Sequence, residues 1–442
     1  MKVLLIDPCK EANYKEKKRG VTRFPQASLI YIASLTPEEH QVAIVEEEVQ
    51  PIDFDASCDL VGITCLTATA PRAYRIADEF RTRGKRVVLG GVHPTVLPEE
   101  AHLHADAVVV GEAEPVWAGL LSDAESGGLK PFYRSTPDWR LDDYPLPRRG
   151  ARSGAVLDLA PVVTSRGCPY ACEFCCVRNV FGRKVRHVSV RRVMEDIEAS
   201  GSRQVMFLDD NIVGDPTYAE ELFDALKGSG IRWVGQASIS FMNRERLLEK
   251  AAASGCKGLF FGLETVSEER MERMKKGMKT LDETAAAVKR ITKAGILFHA
   301  SIVFGFDDDG PDIFDRTLEF LNRSDIASAT FNILTPYPGT VLFDKYKAEG
   351  RLLTEDWKDY DHCTPTFVPR LMTVNQLMEG RRRVRKGFSS MRGIASRFPG
   401  NWRTPILFLL ANLGQRAALT EEERARKPKL LEQVYMKKRE AI

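Results

Sequence analysis

The chain has 442 residues, 43% of them hydrophobic and 28% charged, with a net charge of +3. That length suits two or three domains, the composition is that of an ordinary globular protein, and the near-neutral balance gives no argument for nucleic acid as a partner. Nine cysteines, an odd number, argue against a disulfide framework, and no apolar run reaches the roughly 18 residues that span a bilayer.

The opening Met1-Lys-Val-Leu-Leu-Ile-Asp7 reads as a strand and not as a signal peptide, so a reducing cytoplasm is expected. Residues 1–125 alternate strand and helix patterns. Lys2–Asp7, Val42–Glu46, Leu60–Thr64, Arg86–Leu89 and Ala107–Val110 are strands, and Gln26–Leu35 and Pro71–Arg83 are helical. This alternation predicts a doubly wound, Rossmann-like parallel sheet. Two strands run into glycine turns, Gly90-Gly91-Val-His93-Pro-Thr95 and Gly111-Glu112-Ala-Glu114, at the carboxyl edge where such sheets bind ligands. Residues 126–160, with Leu141-Asp-Asp-Tyr-Pro-Leu-Pro-Arg-Arg149, read as an irregular linker.

Residues 161–345 contain six strand–helix units. Pro161–Thr164 feeds a loop, Gly167-Cys-Pro-Tyr-Ala-Cys-Glu-Phe-Cys175, in which Cys168, Cys172 and Cys175 have the spacing C-x3-C-x2-C. Three thiolates on one short Gly/Pro loop can converge on zinc, Cu(I) or an iron–sulfur cluster. A structural zinc would want a fourth ligand, which the adjacent Cys176 is poorly placed to give. The other five strands are Val205–Leu208, Trp233–Ser238, Gly258–Leu263, Phe298–Phe306 and Thr330–Leu334. Asp215 and Asn243 are predicted N-caps, and Thr280-Leu-Asp-Glu283 a capping box. Residues 346–442 form a mostly helical C-terminal region. Trp357–Tyr360 is placed at the barrel mouth, Arg381-Arg-Arg-Val-Arg-Lys386 is a basic run, and Thr420–Ile442 a peripheral helix. The apolar Thr404–Leu413 reads either as a buried packing helix or as a membrane-surface or lipid-substrate contact.

The cysteine spacing, with Phe174 just before the third cysteine, resembles that of the radical S-adenosylmethionine (SAM) superfamily. The resemblance implies that Cys168, Cys172 and Cys175 hold a [4Fe–4S] cluster whose open iron binds SAM. It also implies a partial (β/α)6 barrel over 161–345 and an external electron donor of flavodoxin or ferredoxin type. In such barrels chemistry gathers at the carboxyl ends of the strands. By the same resemblance, Asp209 and Asp210 meet the SAM amino group, Gln236 and Ser238 its carboxylate, Glu264 the ribose and the backbone at Gly305 the adenine. The N-terminal region resembles the cobalamin-binding domain of one radical SAM class, through the two glycine turns. Its candidate contacts are Gly90, Gly91, His93, Gly111 and Glu112, with His93 read as a turn residue rather than a cobalt ligand. The loop from Asp7 to Tyr14 has no histidine, so cobalt is expected to lack a protein histidine.

These resemblances imply an enzyme that methylates an unactivated carbon of a small, apolar or lipid-like substrate, through a 5′-deoxyadenosyl radical and methylcobalamin. The same parts also suit a radical SAM cyclase, oxidase or rearrangement enzyme. A reading from another class is a non-catalytic iron–sulfur or zinc sensor.

Overall fold

The computed structural model describes residues 1–10, 27–147, 159–274 and 277–424, apart from the side chains of 242, 418 and 420–424. Positions 11–14 of the first loop, residue 26 of the predicted helix, 148–158 of the expected linker and 425–442 of the expected terminal helix lie outside the described residues. The chain forms two compact units. One contains Met1–Ser202, Tyr337–Lys345 and Asp356–Asp361; the other contains Arg203–Pro336, Tyr346–Glu355 and His362–Ile442.

The first unit is built on β1 (Lys2–Asp7), β2 (Gln41–Glu46), β3 (Leu60–Thr64), β4 (Arg86–Gly90), β5 (Ala107–Val110) and β6 (Phe132–Arg134). All pair in parallel, in the order β2-β1-β3-β4-β5-β6. Alternate residues of the central strands bury opposite faces, as period-two side chains must. Ile6, Ile63 and Leu89 pack with Ile76 and Phe80 of the helix Ala70–Thr82. Val3, Leu60 and Val88 pack with Leu29 and Ile32 of the helix Ser28–Leu35 and with Trp117. The sheet is therefore doubly wound, and its topological switch point falls at the carboxyl ends of β1 and β3, where open sheets of this order bind ligands. β6 lies inside the stretch read as linker. Its three residues are too few to show a period, and pairing with β5 defines it.

The same unit carries β7 (Ala160–Val162), an antiparallel pair of β8 (Ser165–Arg166) and β9 (Arg186–His187), and the helix Val190–Ala199. Trp357, expected from the sequence with Tyr360, Asp361 and His362 to close the barrel mouth, packs in this unit on the N-terminal sheet domain. Its indole donates to Glu100 Oε1 at 2.8 Å and its ring meets His93 edge-on at 5.3 Å.

The second unit contains β10 (Gln204–Phe207), β11 (Arg232–Ala237), β12 (Cys256–Glu264), β13 (Leu297–Phe304) and β14 (Ser328–Ile333), parallel and adjacent in sequence order. Helices follow the strands, and two of the predicted caps are made. Asp215 accepts from the Thr217 N–H at 3.0 Å and Thr280 Oγ1 from the Glu283 N–H at 3.2 Å. Asn243 does not cap its helix; a 3-10 turn over Ile239–Asn243 moves the start to Glu245, and Asn243 donates to the Gly277 carbonyl instead. Rings from Phe261, Phe298, Phe304 and Phe331 fill the layer beneath the helices. The C-terminal helices are Val374–Phe388, Met391–Arg397 and Pro405–Arg424.

Candidate active site

The cysteine loop hangs from the neck of the β8–β9 pair. Ser165 faces His187, Arg166 faces Arg186, and the Val188 N–H donates to the Thr164 carbonyl at 2.8 Å. Gly167 leaves the neck at φ +93°, and a Cβ there would stand 2.6 Å from the Lys184 carbonyl, so the two ends of the loop can close only on glycine. Within the loop the Cys175 N–H donates to the Cys172 carbonyl at 3.1 Å. The backbone carbonyl of Glu173, between those cysteines, accepts from the Leu342 N–H at 3.0 Å. Asn179, on the short helix after the loop, donates its side-chain amide to the Gly339 carbonyl. The turn Tyr337–Thr340 thus buttresses the loop from outside, a role for which its sequence carries no signal. Cys168, Cys172 and Cys175 are all of intermediate exposure.

The neck is tied to the end of β5. Glu112 is buried and accepts from Arg166 and Arg186, each at 2.7 Å, and from the Trp139 indole at 3.0 Å. Arg166 also donates to Glu114. Burial alone would lower the Arg166 pKa, but the Glu114 and Glu112 carboxylates outweigh it and hold it above the usual range. Trp139 receives both guanidinium groups on its ring, at 5.5 and 5.2 Å.

At the carboxyl edge of the first sheet, Gly91 and Gly111 have φ of +104° and +92°. A Cβ on either would meet the chain's own atoms, Cys65 and Ser135 respectively. Thr95 bridges the two turns, donating to the Gly91 carbonyl at 2.7 Å and accepting from the Gly111 N–H at 3.0 Å. A methyl group added at Gly90 would meet Val109 at an ordinary 3.7 Å. His93 is fully buried, with Nδ1 at 3.3 Å from Thr67 Oγ1 and Nε2 at 3.3 Å from Glu100 Oε1. Burial would raise the Glu100 carboxyl, but hydrogen bonds from His93, Tyr74 and Trp357 hold it below the usual carboxylate range. Leu66, directly after β3 at the switch point, is 54% exposed, an apolar side chain offered at the ligand-binding edge that sequence reading passed over.

In the second unit, Asp209 and Asn211 are buried after β10, and the Asn211 amide oxygen accepts from the Ser238 N–H at 2.9 Å. The Ile212 N–H donates to the Gln236 carbonyl at 2.9 Å, so the turns after β10 and β11 are cross-braced. Ser238 shares a hydrogen bond of 2.7 Å with Ser240. Asp210 shares the turn with Asp209, and the Gln236 side chain is exposed. Glu264 ends β12 in the left-handed region at φ +66°, beside a register shift between Gly262 and Glu264. A non-glycine residue held there is a backbone outlier that the surrounding structure must constrain. After β13, Gly305 turns at φ +103°, and the buried Asp309 accepts from the N–H groups of Gly305 and Phe306 at 2.8 and 3.0 Å. Burial pushes the Asp309 carboxyl up to about 6 against the pull of those two donors.

Strand alternation adds residues that sequence reading missed. His299 and Ser301 on β13 share a face with Ser328, Thr330 and Asn332 on β14. Asn332 donates to Ser301 at 3.2 Å, and His299 Nδ1 lies 2.8 Å from Ser328 Oγ. Burial lowers the His299 pKa to about 4, so this polar face carries a neutral imidazole at ordinary pH. The signal was a polar residue at every second position of an otherwise apolar run.

The chain thus has a cysteine loop beside a doubly wound sheet and a second parallel sheet whose strand ends carry carboxylates, and comparison with known proteins identifies the enzyme class. The family model of the radical SAM superfamily matches residues 162–321, and that of the B12 binding domain matches residues 23–121. The chain is 31% identical over 427 residues to a bacteriochlorophyllide d C-12(1)-methyltransferase of Chlorobaculum tepidum, covering 92% of each chain. It is 33% identical over 353 residues to the C-8(2)-methyltransferase of the same organism, covering 75% of this chain and 78% of that one. The radical SAM methyltransferase TsrM of Kitasatospora setae has the same fold, with a TM-score of 0.67 at 16% identity over 96% of this chain and 99% of that one. The chain belongs to the family of cobalamin-dependent radical SAM methyltransferases.

It is therefore an enzyme whose cofactors are a [4Fe–4S] cluster, SAM and cobalamin. The residues present fit this set. Cys168, Cys172 and Cys175 supply three thiols on one short loop, a donor set that suits a four-iron cluster with each thiolate on a different iron. The carboxyl edge of the first sheet, with its switch point and exposed Leu66, offers a ligand surface of the kind a flat cofactor needs.

Proposed function

We propose that this enzyme transfers a methyl group to an unactivated carbon of a small, largely apolar molecule, in the cytoplasm and with an external electron donor. The observation that carries this reading is the presence of both cofactor-binding domains in one chain that aligns with 92% of a named C-methyltransferase. Both relatives are named for methylation at a numbered carbon of bacteriochlorophyllide d, which supports carbon as the acceptor.

When bound, the cluster supplies the electron for reductive cleavage of SAM, and cobalamin carries the methyl group. The chain's residues take these parts. Cys168, Cys172 and Cys175 hold the cluster, and the Gly167 neck with the Tyr337–Thr340 turn fixes their loop. Asp209 and Asp210 receive the SAM ammonium, Gln236 and Ser238 its carboxylate, Glu264 the ribose and the Gly305 turn the adenine. Asp309 positions that turn by holding two of its N–H groups. The cobalamin edge is formed by Gly90, Gly91, Gly111 and Leu66. His93 and Glu112 act behind it, through the packing and ion pairs described above.

Anaerobic reconstitution with SAM, cobalamin and a reductant, followed by mass analysis of candidate acceptors, tests the reading. One added methyl per acceptor supports it; loss of hydrogen or ring closure without added mass assigns the chain to oxidation or cyclisation.

A further inference from the structure

We propose that the helix Pro405–Arg424 is a peripheral docking face for an anionic lipid bilayer. The helix is anchored on one side only. Phe408 is fully buried with Leu297, Ala327 and Ile394. Asn412, also fully buried, donates to the Ala327 carbonyl at 2.9 Å and accepts from Arg397 at 2.8 Å. Gln415 donates to the Ala329 carbonyl at 2.9 Å. These residues recur at helical spacing and fix the helix rotation, so the opposite face is determined as well.

That opposite face is aliphatic. Ile406 is 72% exposed, and Leu409, Leu410 and Leu413 are 41%, 49% and 50% exposed. Trp402, 64% exposed, precedes the helix and is joined by Arg403, whose guanidinium lies 5.3 Å from its ring. A continuous apolar stripe of this kind on a globular protein marks an interaction surface. Among the described residues no helix is long and apolar enough to cross a membrane, so the stripe fits a helix that lies on a bilayer.

Charge selects the occupant. From Gly380 to Thr420 the sequence holds nine Lys and Arg residues, Arg381 and Arg397 of them buried, and no Asp or Glu; Glu421-Glu-Glu423 follow only at the far end of the helix, away from Trp402 and Ile406. Lys386, Arg392, Arg403 and Arg416 of this segment are exposed. A second copy of the chain would bring the same cationic rim against itself, which repels; an anionic headgroup layer complements it, at about 1 kcal/mol per basic residue near the surface. An aliphatic stripe inside a basic rim, with an interfacial tryptophan, is the pattern of a membrane-surface helix.

The test is co-sedimentation of the full-length protein with vesicles of phosphatidylcholine alone or mixed with phosphatidylglycerol. The expected result is binding to the mixed vesicles, weakened by high salt and at least tenfold by Ile406→Asp with Leu410→Asp. These residues are exposed, so the melting temperature and SAM cleavage in solution should stay at the wild-type level. Equal binding to neutral vesicles, or equal binding by the variant, overturns the proposal. So does a wild-type dimer that the substitutions convert to monomer without any vesicle binding, which would assign the face to self-association.

Discussion

The Arg166 guanidinium donates to Glu112 Oε1 at 2.7 Å, between residues 54 apart in sequence. Arg166 stands two residues before the first cluster cysteine, and Glu112 two residues after β5. The pair therefore fixes the cluster loop to the carboxyl edge of the sheet proposed to carry cobalamin. Removing Arg166 leaves Glu114 without its ion pair while Glu112 keeps Arg186, and a buried charge that loses its partner costs about 3–5 kcal/mol. Arg166→Leu is expected to lower stability by that order in urea unfolding and to reduce iron incorporation on reconstitution. Double replacement, Arg166→Leu with Glu112→Leu, leaves Arg186 and Glu114 without partners and should not restore stability. Full recovery in the double variant would show that the network is a simple pair.

The cluster ligands can be separated from their neighbour. Cys168→Ala, Cys172→Ala and Cys175→Ala should each abolish the visible absorption of the [4Fe–4S] cluster and SAM cleavage. Cys176→Ala should keep both. Cys176 begins the short helix Val177–Phe181, and its carbonyl accepts from the Asn179 N–H at 2.9 Å. Cluster loss in Cys176→Ala, with retention in any of the other three, would reverse the assignment.

His93 bears on cobalt. Its ring is fully buried and both nitrogens face polar partners, Thr67 and Glu100. It cannot reach a ligand without leaving that site. Paramagnetic resonance of the Co(II) form should show no axial nitrogen splitting, in the wild type and in His93→Phe alike. A splitting that vanishes in the variant would make His93 the ligand.

Asp309 gives a pH signature. Its folded-state pKa of about 6 exceeds the ordinary 3.8, so between those values the folded protein binds more protons than the unfolded chain. The sign follows: this group's contribution is most favourable below pH 4 and is lost as pH rises through 6, by roughly 2–3 kcal/mol. Asp309→Asn should flatten the stability profile between pH 4 and 6. The variant should also raise the SAM dissociation constant, because it weakens the hold on the Gly305 turn. An unchanged profile with unchanged SAM affinity would remove Asp309 from this role.

The parallel strands were legible because buried strands read as continuous apolar runs closed by turn residues. The site was open to proposal from sequence where chemistry needs residues close together, as in the cysteine loop. It was opaque where partners are distant. Asp307, Asp308 and Asp309 are consecutive and alike in sequence, yet Asp307 pairs with Arg351, Asp308 with Arg270 and Asp309 with two backbone N–H groups. The ion pairs of Glu112 with Arg166 and Arg186 could not be read from sequence because those residues lie far along the chain. The Pro405–Arg424 helix has apolar residues on both faces, and Phe408, Asn412 and Gln415 together decide which face is anchored. The compact first unit runs past the expected linker to Ser202 because the Glu112 network holds the cluster hairpin to the sheet.

The by-products of turnover provide the last prediction. A carbon without an acidic proton offers no nucleophile, so methyl transfer to it requires prior removal of a hydrogen atom. One SAM is consumed for that step and ends as 5′-deoxyadenosine; another donates the methyl group and ends as S-adenosylhomocysteine. The proposed places for the two demands are Cys168, Cys172 and Cys175 for the first and the carboxyl edge at Gly90, Gly91 and Gly111 for the second, all residues of one compact unit. Each methylated product should therefore be accompanied by about one molecule of each by-product, above a background of uncoupled SAM cleavage. Deuterium at the reacting carbon should pass into 5′-deoxyadenosine. Cys172→Ala should stop deoxyadenosine and product together, while omission of cobalamin should stop S-adenosylhomocysteine and product but leave uncoupled cleavage. Product formed with S-adenosylhomocysteine alone would mean that the acceptor is nucleophilic and that no hydrogen atom is abstracted. Product formed with deoxyadenosine alone would exclude methyl transfer altogether.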